Sequence, residues 1–247
     1  MIQFRNIRKS FGDIRVLDDV SLDVPAGEVF FLIGASGVGK SVLIKHLIGL
    51  LSPDRGEIWL DGEEISRFSE KQMFAVRKKC AMVFQHSTLL DSMTCVDNVA
   101  LPLRKHCNLS VTDARTQAMG LLELVHMRPF ANHFPAELGD GMRKRVAIAR
   151  ALGLKPRYIL FDEPTTSLDP VSARRVDRLI RELSDNLGVT SVVVSHDLVS
   201  IFAIADRIAM LYKGAVRLLG NRNDFQTSSD AIVQQFIQGR AQGPMES

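Results

Sequence analysis

The sequence predicts a single α/β domain: a mostly parallel β-sheet flanked by helices, with an antiparallel β subdomain and an inserted α-helical subdomain. Three patterns lead to this prediction. Apolar and polar residues alternate at the start, short continuous apolar runs follow, and apolar residues take a helical spacing in the middle of the chain. A length of 247 residues is within the reach of one elaborated domain.

The start of the chain is predicted to form antiparallel strands. Apolar and polar side chains alternate in Ile2–Phe11 and again in Val16–Val24, as expected for strands with one buried face. Turns are predicted at Gly12-Asp13 and at Pro25-Ala26-Gly27, where residues that favour turns cluster. These segments make up the antiparallel subdomain.

The next segments are typical of a parallel sheet. Val29–Ile33 is a continuous apolar run, which indicates a strand buried on both faces. A glycine-rich turn follows and leads into a helix predicted from about Gly39 to Leu50. Further strands are predicted at Gly56–Leu60 and Ala81–Phe84.

The middle of the chain, residues 86–155, is predicted to be helical, with apolar spacing in Ala114–Val125 and Met142–Leu154. Buried strands return at Tyr158–Phe161 and Ser191–Val194. We therefore expect one domain with these parts: a core of residues 1–85 and 156–228, a helical subdomain of residues 86–155, and a C-terminal helix and tail of residues 229–247.

Composition limits the partners. The chain has 31 Lys and Arg against 28 Asp and Glu, a net charge of +3, which argues against a protein that coats nucleic acid. No apolar stretch reaches the ~20 residues that span a bilayer, so any membrane work is expected to need a partner. The three cysteines match no metal or redox spacing and favour a reducing, intracellular compartment.

A phosphate-binding pattern, G-x-x-x-x-G-K-[ST], lies between the first buried strand and its helix. It consists of Gly34, Ala35, Ser36, Gly37, Val38, Gly39, Lys40 and Ser41. Glycines let successive N–H groups point inward, and the helix N-terminus adds positive charge toward β- and γ-phosphates. Lys40 supplies a cation, and the Ser41 hydroxyl is a ligand that Mg²⁺ accepts. The alternative is a plain turn with a helix cap.

Two acids follow the buried strand Tyr158–Phe161, at the edge of the sheet where ligands of α/β proteins gather. Asp162 is expected to hold Mg²⁺ through water. Glu163 is expected to orient or deprotonate an attacking water. The alternative is a solvated turn. Together with the phosphate loop, the pair predicts binding of ATP and Mg²⁺.

With these motifs in this order, the chain resembles the ABC ATPase family over nearly its whole length. The resemblance implies that Gln85, after the strand Ala81–Phe84, contacts Mg²⁺ and the lytic water. It also implies that His196 contacts the γ-phosphate, that Asp169 touches the opposite subunit, and that Phe11 stacks on adenine. A structural histidine and a plain core phenylalanine are the alternatives for His196 and Phe11.

The family's signature, close to L-S-G-G-Q, is altered in this chain. Leu138 and Met142 enclose Gly139, Asp140 and Gly141, so the serine is missing and an acid replaces a glycine that should face phosphate. Like charges about 4 Å apart repel by about 1 kcal/mol in water-like and about 4 kcal/mol in protein-like surroundings. We expect this site to close less readily, with Arg143, Lys144 and Arg145 partly offsetting the charge.

The resemblance also implies partners. Because the signature lies on the helical subdomain, two copies are expected to form a head-to-tail homodimer around two ATP molecules and to drive an integral membrane permease. The groove for the permease is expected along one apolar segment, whose members are Leu89, Leu90, Met93, Val96, Val99 and Leu101. This arrangement places the chain in the cytoplasm, peripheral on the cytoplasmic face of the inner membrane.

Within the family, the chain resembles the Mla/Mce-type phospholipid transport ATPases. The resemblance rests on Val76–Lys79, on Asp97–His106, on Met142 in the signature and on the tail Phe236–Pro244, whose family counterpart helps the two ATPase chains hold each other. It implies phospholipid transport, with an MCE-type lipid carrier as a further partner. The alternatives are a small-solute importer ATPase and a non-transport ATPase that transmits force.

Overall fold

The computed structural model describes residues 1–246, so residue 247 of the predicted tail lies outside the described residues. Ten strands and nine α-helices lie in this range. The strands are β1 (Ile2–Phe11), β2 (Ile14–Val24), β3 (Val29–Ile33), β4 (Arg55–Leu60), β5 (Glu63–Glu64), β6 (Cys80–Val83), β7 (Tyr158–Asp162), β8 (Thr190–Val194), β9 (Arg207–Tyr212) and β10 (Ala215–Gly220). The helices are α1 (Lys40–Leu47), α2 (Glu70–Lys79), α3 (Cys95–His106), α4 (Val111–Leu124), α5 (Asp140–Leu152), α6 (Pro170–Leu187), α7 (Leu198–Ile204), α8 (Arg222–Gln226) and α9 (Ala231–Ile237).

Two sheets form the β structure, as the sequence predicts. A four-stranded sheet has the order β2-β1-β4-β5, and its paired strands are antiparallel. A six-stranded sheet has the order β10-β9-β3-β8-β7-β6 and is parallel except where β10 pairs with β9. The predicted α/β class, mostly parallel with an antiparallel part, is confirmed.

The six-stranded sheet is buried on both faces. Along β3, Phe31 belongs to one apolar cluster, with residues of α3, α4, α5 and α6. Phe30 and Leu32 belong to a second cluster, with α1 and the four-stranded sheet. This two-sided burial explains the continuous apolar runs, because successive side chains point to opposite faces of a strand.

The helical insertion comprises α3, α4 and α5, between β6 and β7. Thr94 and Ser110 cap α3 and α4, each accepting a hydrogen bond from a backbone N–H of the first turn. Residues 86–155 are predicted to be helical, and the apolar spacing indicates α4 and α5 but gives no bounds for α3. None of the described helices is long and apolar enough to cross a bilayer.

The C-terminal tail folds back on its own chain through Gln235. The side chain of Gln235 is 6% exposed, accepts a hydrogen bond from the Met245 backbone at 2.8 Å and donates one to the Arg240 carbonyl at 3.3 Å. A buried amide that is paired at both ends fixes the chain around it. Within this one chain, the tail therefore packs against α9.

One carboxyl inside the fold has a shifted pKa. Asp177 on α6 is 3% exposed, and burial raises its pKa to about 6, while the Ser200 hydroxyl and the Arg174 charge oppose that rise. Because an unfolded Asp has a pKa near ~4, the fold favours the protonated form. The contribution of Asp177 to stability is therefore full below about pH 4 and is lost as the pH rises to about 6.

We expect Asp177→Asn to remove this pH dependence. Relative to the wild type, the free energy of unfolding of this variant should increase from about pH 4 to pH 6. The increase should be at most about 3 kcal/mol, which corresponds to a pKa difference of about two. Urea unfolding across this range measures the difference, with Asp185→Asn on the same helix as the exposed control. If the difference in unfolding free energy between Asp177→Asn and the wild type did not change with pH, the raised pKa of Asp177 would be contradicted.

Candidate functional site

The loop between β3 and α1 requires glycine at two positions. Gly34 has a φ of 140°, and a Cβ atom there would lie 2.3 Å from the Leu211 carbonyl oxygen. Gly39 has a φ of 104°, and its Cβ would lie 2.6 Å from a methyl group of Leu17. Both conformations and both close approaches exclude larger side chains. The glycines of the predicted phosphate loop are thus required by this backbone.

Lys40 lies inside the loop that precedes it. It is 6% exposed, and its Nζ donates to the carbonyl oxygens of Gly34 at 2.8 Å and Ala35 at 2.9 Å. Burial lowers the pKa of Lys40, while the charges of Glu163 and Asp162 oppose this. The ammonium group is therefore held where the loop closes, at the N-terminus of α1.

Asp162 and Ser41 form a pair of oxygen groups beside the loop. The Ser41 hydroxyl donates to Asp162 Oδ1 at 2.5 Å, and Asp162 is 6% exposed at the end of β7. Lys45 Nζ is 3.9 Å from Asp162 Oδ2. Mg²⁺ prefers such hard oxygens and takes its remaining ligands from water and phosphate. The donor set fits Mg²⁺, and residues 1–246 contain no cluster of three His, Cys, Asp or Glu for another metal.

Glu163 and His196 meet at the same edge of the sheet. Glu163 Oε2 is 2.9 Å from His196 Nδ1 and accepts a hydrogen bond from the Thr166 hydroxyl at 3.0 Å. The backbone of Glu163 has a φ of 50°, in a region that residues other than glycine seldom occupy. The His196 side chain is 60% exposed. A carboxylate paired with an accessible imidazole can accept a proton from water.

One cavity of about 300 Å³ brings together eight of the predicted residues, five from the phosphate loop together with Gln85, Glu163 and His196. The residues around it are Ser36, Gly37, Gly39, Lys40, Ser41, Val42, Gln85, Glu163, Thr166 and His196. They come from the carboxyl ends of β3, β6, β7 and β8, which lie at one edge of the parallel sheet. Thr166, which sequence analysis assigns no role, is added to the set.

Phe11 lies outside this cavity, at the end of β1. Its side chain is 45% exposed and belongs to neither apolar cluster, so it is not a core residue. The ammonium group of Lys9 lies 5.4 Å from the centre of its ring. An exposed aromatic face is free to stack on a planar ligand.

The altered signature begins α5. Gly39 and Gly139 both precede helices, and Gly139 caps α5 without a side-chain bond. The guanidinium of Arg143 forms an ion pair with Asp140 and donates to the Leu138 carbonyl at 3.0 Å. The charge of Asp140 is thus already partnered within the chain.

Arg143 is the cation that pairs directly with Asp140 among the described ion pairs, and the charge of Asp140 also favours the charged form of Lys144, so the expected offset is confirmed for these two residues. Arg145 donates to the Val125 carbonyl at 3.3 Å. Lys144 is 2% exposed and donates to the carbonyls of Phe84 at 2.9 Å and Gln85 at 2.6 Å. Burial lowers the pKa of Lys144 to about 8. Lys144 follows Asp140 by four residues and could therefore lie beside it on the helix surface. Its side chain instead turns to Phe84 and Gln85, while that of Arg145 turns to Val125.

The signature and Asp169 lie around a second cavity, of about 290 Å³. Around it lie Gly139, Asp140, Gly141, Met142, Arg145, Ser167, Leu168, Asp169, Ser172 and Arg175. The Asp169 carboxylate caps α6 by accepting from the backbone N–H groups of Val171 at 2.9 Å and Ser172 at 3.0 Å. None of these residues lines the first cavity, but Asp140, Ser167 and Leu168 also border a further cavity of about 370 Å³ that reaches Gln85 and Thr166.

Lys144 joins the signature helix to Gln85, a contact that no motif in the sequence indicates. We expect Lys144→Met to lower ATP hydrolysis by about tenfold, because the carbonyls of Phe84 and Gln85 lose their donor and Gln85 loses its support. Steady-state phosphate release measures this loss. Lys71→Met, at an exposed lysine of α2 outside both cavities, is the control and should stay within a few fold of the wild type. Equal losses would contradict a specific role for Lys144.

The fold and the first cavity define a P-loop nucleotide-binding protein. Residues 17–166 match the ABC transporter family. The chain belongs to this family, as an ATP-binding and ATP-hydrolysing subunit that uses ATP and Mg²⁺.

Two kinds of relative match over almost the whole chain. The "Probable ribonucleotide transport ATP-binding protein mkl" of Mycobacterium leprae is 40% identical over 244 residues, which cover 99% of this chain and 70% of that protein. The "Intermembrane phospholipid transport system ATP-binding protein MlaF" of Escherichia coli K12 is 39% identical over 245 residues, which cover 99% of this chain and 91% of that protein.

Solved structures agree with the fold. The dimeric ATP-binding cassette MJ0796, in a post-hydrolysis state bound to ADP and Pi, superposes with a TM-score of 0.82 at 32% identity and covers 90% of this chain and 98% of that one. The cbiO1 protein of Clostridium perfringens, part of the transporter complex cbiONQ, gives a TM-score of 0.85 at 26% identity, with coverages of 97% and 95%. The first of these structures is a dimer, as we expect for this chain.

Proposed function

We propose that this chain powers phospholipid transport between the membranes of a Gram-negative-type envelope, by hydrolysing ATP on a partner permease. The observation that carries the ATPase part is the first cavity, where Lys40, Ser41 and the Glu163–His196 pair lie together. The phospholipid part is supported by the relative MlaF, which this chain matches over 91% of that protein's length.

Binding of the nucleotide is assigned to the phosphate loop. Backbone N–H groups of Gly34–Ser41 and the Lys40 ammonium would bind the β- and γ-phosphates. Ser41, Asp162 and Gln85 would hold Mg²⁺, which neutralises the phosphate charge when bound. Phe11 would stack on the adenine, which its exposed ring allows.

Hydrolysis is assigned to the pair at the end of β7 and β8. Glu163 Oε2 would orient the water and accept its proton, and the Thr166 hydroxyl keeps that carboxylate in place. His196, accessible at its outer edge, would donate to the γ-phosphate oxygen. Glu163, Thr166 and His196 would need no large rearrangement for these roles, because Glu163 already contacts the other two side chains.

Pairing of two chains is supported by the position of the signature glycines, which do not line the first cavity. We assign Gly139, Asp140, Gly141 and Asp169 to the surface that covers the nucleotide of a second copy, head to tail. In this assignment, residues 1–85 and 156–228 form the nucleotide-binding core, residues 86–155 the helical subdomain, and the residues from 229 onward the C-terminal part.

The altered signature is expected to slow the enzyme. Gly139→Ser combined with Asp140→Gly should raise the ATPase rate several-fold, because the phosphate then meets a hydroxyl and no carboxylate. Arg143→Ala is the matched variant and should lower the rate, since it leaves Asp140 without its ion-pair partner. Phosphate release at saturating ATP measures both. No gain, or a loss, in the double variant would count against this reading of the signature.

The permease is proposed to dock in a cleft of about 400 Å³ between α2, α3 and α5. It is lined by apolar and basic residues, which are Arg77, Lys78, Ala81, Met82, Leu101, Pro102, Lys105, His106, Ala147, Arg150, Ala151 and Leu154. The predicted groove is only partly this cleft: Leu101 lies in it, but Val96 and Val99 are buried in the core. Docking there would place the chain on the cytoplasmic face of the inner membrane.

A second substrate class has specific support. The mkl relative, 40% identical, is named for ribonucleotide transport, so a small-solute importer is the second candidate. The first cavity is the same in both cases. Whether the chain serves phospholipid transport or small-solute import therefore depends on the permease and the substrate that the permease carries.

Purification with the native permease tests the proposal. We expect the chain to copurify with a membrane protein and with phospholipid that mass spectrometry identifies, and phospholipid vesicles should stimulate its ATPase activity. Glu163→Gln in the same complex should lose that activity while the lipid remains. A complex without bound phospholipid, whose ATPase activity responds to a ribonucleotide instead, would overturn the lipid assignment.

A further inference from the structure

A cluster of four polar side chains joins α6 to α7 behind His196. Arg174 and Asp177 are on α6, Asp197 caps α7 and Ser200 lies in its first turn. The guanidinium of Arg174 forms an ion pair with Asp197, lies 2.8 Å from Asp177 Oδ2 and donates to Ser200 Oγ at 3.1 Å. Ser200 Oγ is also 2.9 Å from Asp177 Oδ2 and 2.8 Å from Asp197 Oδ2.

The cluster is costly to disturb because it is largely buried. Asp177 is 3% exposed and Ser200 is 1% exposed, and the guanidinium of Arg174 lies within ion-pair distance of both carboxylates, bonded to Asp197 through Nη2 and near Asp177 through Nη1 without a hydrogen bond. Burial raises the pKa of Asp177 to about 6, and the Ser200 hydroxyl and the charge of Arg174 oppose that rise. Removing one partner of a buried ion pair leaves an uncompensated charge, which is strongly destabilising. The cluster therefore holds α6 and α7 together.

One end of the cluster determines how His196 is held. Asp197 follows His196 directly, its backbone N–H donates to Ser195 Oγ at 3.0 Å, and its carboxylate accepts from the Val199 N–H at 3.0 Å. The His196 side chain itself is 60% exposed and meets Glu163 at its tip. The orientation of the imidazole therefore depends on the backbone that Asp197 fixes.

The other end reaches the surface assigned to the second copy. Arg174 lies on α6 little more than one turn after Asp169, which caps that helix and borders the second cavity. A helix moves as a rigid element over one or two turns. Any shift of the Asp169 end of α6 is therefore passed to Asp197 through the guanidinium of Arg174.

We propose that Arg174 is a positioning residue that makes the placement of His196 depend on the Asp169 end of α6. This inference rests on the proposed function, in which His196 contacts the γ-phosphate and Asp169 faces the second copy. Closure of the pair would then set α6, and through Arg174 it would set the imidazole for hydrolysis. ATP binding, which uses the phosphate loop, does not require this connection.

Arg174→Lys tests the proposal, because an ammonium group keeps the charge but cannot bind two carboxylates and a hydroxyl in one fork. The matched control is Arg181→Lys on the same helix, where Arg181 lies 2.7 Å from both Asp185 and Asp206, away from His196. We expect Arg174→Lys to lower kcat by about tenfold or more with KM for ATP within about twofold. Arg181→Lys should leave both constants within about twofold.

Asp197→Asn provides a second variant that keeps the fold, because Asn caps a helix as well as Asp but forms no ion pair with Arg174. It should reproduce the loss in kcat. In the Glu163→Gln background, ATP-dependent pairing should be the same with and without Arg174→Lys. A kcat for Arg174→Lys equal to that of Arg181→Lys, or a wild-type kcat for Asp197→Asn, would overturn the inference. If the wild-type chain itself neither binds nor hydrolyses ATP, the proposed function fails instead.

Discussion

Replacing Glu163 with Gln is expected to lower the rate of ATP hydrolysis by about 10²- to 10⁴-fold, the usual contribution of a general base, and to leave ATP binding intact. Glu163 Oε2 lies 2.9 Å from His196 Nδ1 and accepts from the Thr166 hydroxyl at 3.0 Å. An amide preserves the size and the contact with Thr166, but it cannot take the proton of water. Phosphate release measures the first effect and ATP retention on a filter measures the second.

The control for this substitution is Glu123→Gln. Glu123 is an exposed carboxylate on the helical insertion that pairs with Arg128, far in sequence from the cavity. Its neutralisation should leave hydrolysis within about twofold of the wild type, because surface ion pairs contribute little. If Glu163→Gln hydrolysed ATP as fast as Glu123→Gln, Glu163 would not be the base.

Lys40→Met is expected to weaken ATP binding by about 100-fold, since hydrogen bonds to charged groups contribute up to about 3 kcal/mol. The Lys40 ammonium is held between the Gly34 and Ala35 carbonyls, where the loop would enclose the phosphates. Met has a similar apolar stem, so the buried position stays filled while the charge is lost. Titration of a fluorescent ATP analogue measures the change in Kd.

Lys45→Met is the matched control on the same helix. Lys45 Nζ is 3.9 Å from Asp162 Oδ2 and its side chain is 35% exposed. Solvent screens such a pair, so we expect a change in Kd of no more than a few fold. Equal weakening by the two substitutions would show that the general positive charge of α1, and not the position of Lys40, binds the phosphates.

The central part of the fold and of the site could be predicted from the sequence because local pattern and chemistry agree there. Val29–Ile33 is apolar throughout since both faces of β3 are covered, and the turn that follows contains glycines that the backbone requires. The same holds for Tyr158–Asp162, which places two acids at the sheet edge. Residues that follow parallel strands meet in space, so the cavity follows from the strand pattern.

Contacts between distant segments could not be predicted in this way. Lys144 is one of three consecutive cations, and only the packing of α5 against β6 turns it toward Gln85 while Arg143 turns to Asp140. The bounds of α3 could not be predicted either, because Pro102 lies inside that helix and proline usually ends one. Burial of Val96 and Val99 stabilises α3 in spite of it.

The most direct test of the account is the mass of the Glu163→Gln chain in solution with ATP and Mg²⁺. Light scattering should give a 27.5 kDa monomer without nucleotide and twice that mass with it, because the signature of each copy covers the nucleotide of the other. Adding Lys40→Met should abolish this pairing. A chain that stays monomeric with bound ATP, or one that pairs equally well without it, would contradict the shared nucleotide site.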